Sequence, residues 1–486
     1  MSAAALTRLV SCLAAVSALW VALPFTAVAA ASGKVSVVLT SEDLRLRLRP
    51  QPELPLDSVH PPPGSQLIRV DDAGRAQRFA GLGGAMTDSA AWLLEQLTPS
   101  ARALWLHALF GPQGLHLSFI RVPIGASDFT VRGQPYTYDD RASGHPDPRL
   151  RHFSIRHDYR YVLPALRDAL RANPAAWVMA SLWSAPAWMK ANQALNDASG
   201  TGKLLGPMYG PLARYLVDFL RAYAGAGVPV SAITPQNEPG QDTTYPGGNL
   251  SPGAEAAFIT DYLRPALRGA RLNTRIYGWD FNWTASLPPP PASLATGPAA
   301  SSLSGMAWHC YYGDASVMSA LHQLAPGLDQ VVSECSQGIR FFSTSEMLIA
   351  SLRNWATAVN LWNLALTPGG GPVQPPNRGC RGCAGILTVD PHTHQVQPTL
   401  DFYELAQVSH FVALGAVRLA STTLVSPLYL RLVTPGVDDV VFQNPDGHKV
   451  LIAFNSSQMT QAFSVEDGAG YFSYQLPPAT TATFTW

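Results

Sequence analysis

Lysine is almost missing from this 486-residue chain: Lys34, Lys190, Lys203 and Lys449 are the only ones, and arginine carries the rest of the positive charge. That is a lineage bias in composition, not a mark of function. Neither sign of charge accumulates. The 33 basic residues balance 33 acidic ones, with no long block of either sign. This excludes a nucleic-acid binder that works by neutralising phosphates. Charged residues make up only 14% of the chain against 47% hydrophobic, which excludes a disordered polymer. Beyond the N-terminus no run reads as a membrane span. Cysteine is scarce, with five residues.

The N-terminus reads as a signal peptide over residues 1–30. Arg8 gives a short positive start, Leu9 to Leu23 is almost wholly apolar, Pro24 breaks the run, and Ala27-Val28-Ala29 is a small-x-small cleavage site. The alternative is an uncleaved anchor. Export fits the cysteines: with Cys12 inside the leader, Cys310, Cys335, Cys380 and Cys383 remain, an even number. The spacing of Cys380 and Cys383, followed by His392 and His394, resembles a zinc site, but His-x-His is too close for a finger. A short disulfide loop is the better reading. Cys310 and Cys335 end neighbouring candidate strands and could pair across a barrel mouth. Sequons stand at Asn249, Asn282 and Asn455.

Periodicity divides the rest. Residues 34–50 alternate apolar and polar and predict a strand, 50–63 read as a Pro-rich linker, and 66–79 as another strand. From about 78 to 410, short apolar strands alternate with helical stretches such as 89–110, 209–224 and 251–268. Eight such strands (79–85, 117–124, 177–184, 230–236, 275–280, 305–311, 331–334 and 359–363) predict a (β/α)8 TIM barrel. A doubly wound sheet is the rival; the glycine-rich stretch at 81–86 lacks its third glycine. The tail has short alternating strands and a turn at Asn444-Pro445-Asp446-Gly447. The expected organisation is therefore a leader (1–30), N-terminal strands (34–77), a barrel (78–410) and an antiparallel β-sandwich (411–486) that the N-terminal strands join.

In such a barrel the chemistry lies at the C-terminal ends of the strands. Asp88, Arg121, Asp128, Trp183, Asn237, Glu238, Asp280, His309, Tyr311, Glu334, Trp362 and Asn363 fall there. Carboxylates, amides and indoles without metal-ligand spacing suit sugar chemistry. Cleaving a glycoside needs two carboxyl groups flanking the bond. Glu238 and Glu334, ending the fourth and seventh strands, can face each other across the mouth. A structural reading exists for each: Pro239 alone biases Glu238 away from helix, and His309 could be an ordinary core histidine.

Seven stretches in order, at 79–94, 118–129, 182–190, 232–239, 307–313, 333–336 and 360–372, make the chain similar to glycoside hydrolase family 30, which includes the glucosylceramidases. The resemblance implies a retaining β-glycosidase acting on terminal β-glucosyl linkages, with Glu238 as acid/base and Glu334 as nucleophile. It implies that Asn237 binds the sugar 2-hydroxyl, and that Asp128, Trp183, Tyr311 and Trp362 bind substrate, the indoles through their faces. Arg121 and His309 would support the glutamates. It implies no metal, no cofactor and no obligatory protein partner, only a β-glycoside on a lipid or a saccharide. The chain departs from the animal enzymes in lacking their N-terminal cysteine knot and in showing Trp279-Asp280-Phe281 where an Asp-Asp pair is expected. These departures leave the leaving-group side open, with a secreted β-1,6-glucanase or β-1,6-galactanase as the alternative. A non-catalytic carbohydrate-binding protein is a third reading, against which the retention of both glutamates argues.

Overall fold

The computed structural model describes residues 33–61, 64–131, 135–141, 145–284, 290–336, 343–373, 380, 382–424, 436–468 and 470–486. The leader read at 1–30 lies outside them. Three strands come first: β1 (Lys34–Ser41), β2 (Arg49–Pro55) and β3 (Leu67–Arg78). Strand therefore stops at Ser41, not at 50. Leu44 and Leu48 take left-handed backbone (φ 56° and 49°) in the bend that follows. The Pro-rich stretch is itself partly a strand, because β2 pairs with β1 at the very edge of the sheet. An edge strand tolerates proline because one side needs no N–H donor.

Eight parallel strands then close a barrel: β4 (Gly81–Ala85), β5 (Phe119–Ile124), β6 (Trp177–Leu182), β7 (Ala232–Thr234), β8 (Arg275–Asn282), β9 (Gly305–His309), β10 (Asp329–Glu334) and β11 (Ala358–Leu361). The expected helix at 89–110 is two, Asp88–Glu95 and Pro99–Phe110, because Pro99 starts a new helix behind the cap Thr98. Gly83 is required where β4 meets β5: a β-carbon there would stand 1.6 Å from the Phe119 carbonyl oxygen.

Side chains alternate along each barrel strand. Phe119, Met179, Ala232, Tyr277, Ala307, Val331 and Ala358 form one inner apolar layer. Ile120, Val122, Val178, Ala180, Ile233, Val332 and Val359 point outward into the core under the helices. Two residues further along β5, β6, β7, β9 and β10, the inward positions become Arg121, Ser181, Thr234, His309 and Ser333. The barrel is thus sealed by apolar residues below and polar where it opens.

A small sheet follows, β12 (Ala365–Leu366), β13 (Leu387–Val389) and β14 (Val396–Pro398). The last strands are β15 (Val417–Ser421), β16 (Val437–Gln443), β17 (Lys449–Asn455), β18 (Gln461–Asp467), β19 (Gly470–Leu476) and β20 (Thr480–Thr485). Among the described residues they join β1–β3 in the order β19-β18-β3-β15-β16-β17-β20-β1-β2. Every pairing is antiparallel except β3 with β18, which is parallel. Leu451 and Ala453 face the sandwich core while Val450, Ile452 and Phe454 face the barrel. One strand thereby belongs to both cores, and Arg353 ties the junction through the Asp439 carboxylate at 2.9 Å.

Both expected cysteine pairs are disulfides, Cys310–Cys335 and Cys380–Cys383. Of the sequons, Asn455 is fully buried with its amide donating to three carbonyls. No helix among the described residues is long and apolar enough to cross a membrane.

Candidate active site

Arg121 is an inward residue of β5 and has no exposed surface. Each nitrogen of its guanidinium is used. Nε donates to Ser181 Oγ at 3.0 Å, Nη1 to Glu334 Oε2 at 2.5 Å, and Nη2 to Asn237 Oδ1 at 2.7 Å and Asp280 Oδ2 at 2.9 Å. One planar cation thus ties β5 to residues of β6, β8, β10 and the turn after β7, which a single-point ammonium could not do.

Asp280 is the second centre. Strict alternation from Tyr277 would aim Trp279 inward. A β-bulge between Trp279 and Phe281 shifts the register, with φ of 75° at Trp279 and 44° at Asp280. Trp279 turns out to the helices and Asp280 turns in, as bulges allow. Its carboxylate accepts from Thr234 Oγ1 and Ser333 Oγ, both at 2.6 Å, besides Arg121. Burial acts to raise its pKa, but the Arg121 charge and the hydrogen bonds from His309 and Ser333 hold it well below the usual carboxylate range.

His309 stands between the carboxylates. Nδ1 faces Glu238 Oε1 at 3.0 Å, Nε2 faces Asp280 Oδ1 at 3.2 Å, and Nε2 lies 4.0 Å from Glu334. Burial opposes its charge, yet Glu334, Asp280 and Glu238 together push its pKa up to about 9. Both ring nitrogens thus face carboxylate oxygens, an arrangement that favours the doubly protonated ring.

Glu334 ends β10 and is buried; Tyr311 donates to its Oε1 at 3.0 Å. Burial raises its pKa, His309 and Arg121 pull against that, and the charges of Glu238 and Asp280 add to it. Glu238 lies beyond the end of β7 in left-handed backbone (φ 44°), its N–H bonded to the Asp280 carbonyl at 2.9 Å. Non-glycine residues held there store strain, a frequent property of functional sites. Tyr245 reaches its Oε2 at 3.4 Å. A carboxylate oxygen of Glu238 and one of Glu334 lie within 4.8 Å of each other.

These groups open into a cavity of about 170 Å³ lined by Asp128, Trp183, Asn237, Glu238, Gln241, Tyr245, Asn282, Tyr311, Glu334, Trp362 and Cys380. All seven residues singled out from the sequence as catalytic or substrate-binding line it, and Arg121 and His309 lie directly behind. Asp128 is pushed up to about 8 by burial and then by the charges of Glu334 and Glu238. The indoles differ from expectation in presentation. Trp183 and Trp362 stack on each other at 5.1 Å, with Arg121 over the Trp183 ring at 4.7 Å, so much of their flat surface is already engaged. Sequence reasoning missed Tyr245, Gln241 and Asn282, which stand in or next to irregular loops, and it did not give Asp280 its central place. A carboxylate ending a buried strand was the available signal for Asp280.

Among the described residues, Glu238, His309 and Glu334 bring metal-ligand atoms within 4.8 Å of one another. His309 already spends both ring nitrogens on Glu238 and Asp280, which leaves no free ring nitrogen for a cation.

A parallel barrel whose mouth holds two opposed carboxyl groups above a buried arginine is the frame of a glycoside hydrolase. The chain belongs to glycosyl hydrolase family 30: residues 79–412 match its TIM-barrel domain and 415–484 its beta sandwich domain. It is 31% identical over 413 residues to the endo-1,6-beta-D-glucanase BGN16.3 of Trichoderma harzianum, covering 82% of this chain and 81% of that one. It is 29% identical over 450 residues to the lysosomal acid glucosylceramidase of Mus musculus, covering 86% and 83%. The crystal structure of SrfJ from Salmonella typhimurium superimposes with a TM-score of 0.83 at 26% identity, covering 93% of this chain and 99% of that one.

Proposed function

We propose that the chain hydrolyses β-glucosidic bonds with retention, with Glu334 as nucleophile and Glu238 as acid and then base, and that its substrate is a β-1,6-linked glucan. The separation of at most 4.8 Å between carboxylate oxygens carries the reading. Retaining enzymes hold their carboxyls about 5–5.5 Å apart, whereas inverting ones leave room for a water at about 6.5–9.5 Å.

Glu334 attacks the anomeric carbon as the bond to the leaving oxygen breaks, and Glu238 gives that oxygen its proton. The glycosyl–Glu334 ester neutralises one carboxylate. Glu238, now ionised, takes a proton from water, the water oxygen attacks the same carbon, and Glu334 departs. Two inversions give net retention. Arg121 and Tyr311 orient Glu334, leaving one lobe for attack. Asn237, itself pinned by Arg121, is placed to bind the 2-hydroxyl. Asp128 accepts from sugar hydroxyls.

The β-1,6-glucan assignment rests on similarity to the endo-1,6-glucanases and on the rim. Among the described residues next to the site, Tyr312 is the one large apolar side chain left exposed, which suits a saccharide better than a lipid tail. Export through cleavage of 1–30 is part of the proposal, supported by the leader pattern and the two disulfides. Proton NMR of the first product from a β-1,6-glucan should show the β-anomer. The α-anomer as first product would overturn the mechanism. Turnover of glucosylceramide but not of the glucan would overturn the substrate.

A further inference from the structure

Lys190 is one of four lysines in the chain and is almost wholly buried, at 1% exposure. It lies in the loop after β6, away from the reacting groups. Its Nζ donates to Ser184 Oγ (3.1 Å) and to the carbonyl oxygens of Leu195 (2.9 Å), Asn196 (2.9 Å) and Gly247 (2.7 Å). A buried ammonium is costly unless its donors are met. Ser184, Leu195 and Asn196 follow β6 whereas Gly247, the shortest contact, follows β7, so Nζ bridges the two loops.

The same loops are joined around the ammonium. Gly247 N–H donates to the Leu195 carbonyl at 3.0 Å and Asn249 N–H to that of Gly202 at 3.1 Å. Thr243 Oγ1 accepts from Asp197 N–H at 3.3 Å and donates to the Tyr245 carbonyl at 2.9 Å. Tyr245 then reaches Glu238 Oε2. The other carboxylate oxygen, Oε1, already receives the Nδ1–H of His309. Oε2 is therefore the oxygen of Glu238 that the loop-borne Tyr245 meets.

We infer that Lys190 is a positioning residue for acid catalysis: by clamping the loops after β6 and β7 it holds Tyr245 against Oε2 of Glu238. This rests on the assignment of Glu238 as the acid. A leaving group that needs protonation feels the clamp; one that departs unaided does not. Attack by Glu334 is affected less, because its carboxylate is held by Arg121 and Tyr311 from β5 and the end of β9 and takes no hydrogen bond from these loops.

The test is kcat/KM for a series of aryl β-glucosides, from dinitrophenyl to phenyl, on the full chain. Lys190→Met should change the dinitrophenyl substrate less than about threefold and lose about tenfold or more on the phenyl substrate, where general-acid help is worth about 10²–10⁴. Thr243→Val, which cuts the same link while leaving the Lys190 contacts in place, should give the same tilt more weakly, and it carries the test if Lys190→Met does not fold. Equal loss across the series in the folded variants, or no loss, overturns the inference. Glu238→Gln run alongside separates the two claims: if it shows no tilt, the acid assignment itself fails.

Discussion

The two glutamates are held in opposite ways. Glu334 ends a barrel strand and is fastened by a buried arginine and a tyrosine, beside a disulfide that joins its strand to β9. Glu238 stands past its strand on strained backbone, and its carboxylate is touched by His309 and by a tyrosine borne on a loop. The difference suits the two roles proposed for them. A nucleophile must meet one carbon from one direction, so fixity serves it. An acid that becomes a base must change charge within one turnover, so it needs partners tolerant of both states. His309 donates to either form of Glu238 because Asp280 and Glu334 help to keep it charged.

The sharpest way to break this contrast is at the fixed end. Glu334→Gln should lower kcat on every glucoside by about 10⁵-fold or more, as loss of a nucleophile does; steady-state hydrolysis of an activated aryl glucoside measures it. An activated fluoro-sugar should label Glu334, and labelling elsewhere would reassign the nucleophile.

At the other end, Glu238→Gln should cost about 10²–10⁴-fold on poor leaving groups and far less on formation of the glycosyl-enzyme from dinitrophenyl substrates. Pre-steady-state release of the phenol should then show a burst, since hydrolysis of the ester lacks its base. A loss as uniform as that of Glu334→Gln would erase the distinction between the two ends.

Tyr311→Phe removes one hydrogen bond to Glu334 and should lower kcat/KM by about 10–100-fold, the worth of a hydrogen bond to a charged group, with little change in melting temperature. The smallest effect concerns stability. His309 has a folded pKa of about 9 against 6.5 for a free imidazole. Its charge therefore stabilises the fold in full below 6.5, and that contribution fades as pH rises through 9. The melting-temperature gap between the native chain and His309→Gln should narrow over that window; a gap widening with pH would contradict the imidazolium assignment.

Much of this was legible beforehand. Short apolar runs separated by helical stretches located all eight barrel strands, because parallel barrel strands are buried on both faces. Barrel logic then placed Arg121, Asn237, Glu238, His309, Tyr311, Glu334 and Trp362 together at strand ends. The edge strand at Arg49–Pro55 was hidden because proline signals a linker wherever the paired side is unknown. The break before Pro99 was hidden inside a continuous helical pattern.

The sequence by itself determined the order of elements and the residues that meet at the mouth, since both follow from local periodicity and from one chain direction around a closed barrel. Only the tertiary structure decided three things. The bulge at Trp279 and Asp280 made Asp280 the shared partner of Arg121 and His309, and a bulge is chosen by neighbouring strands. The distance between Glu238 and Glu334 was set by barrel closure. The Tyr245 side of the cavity was built by two irregular loops around Lys190, whose contacts join residues more than fifty positions apart and leave no period to read.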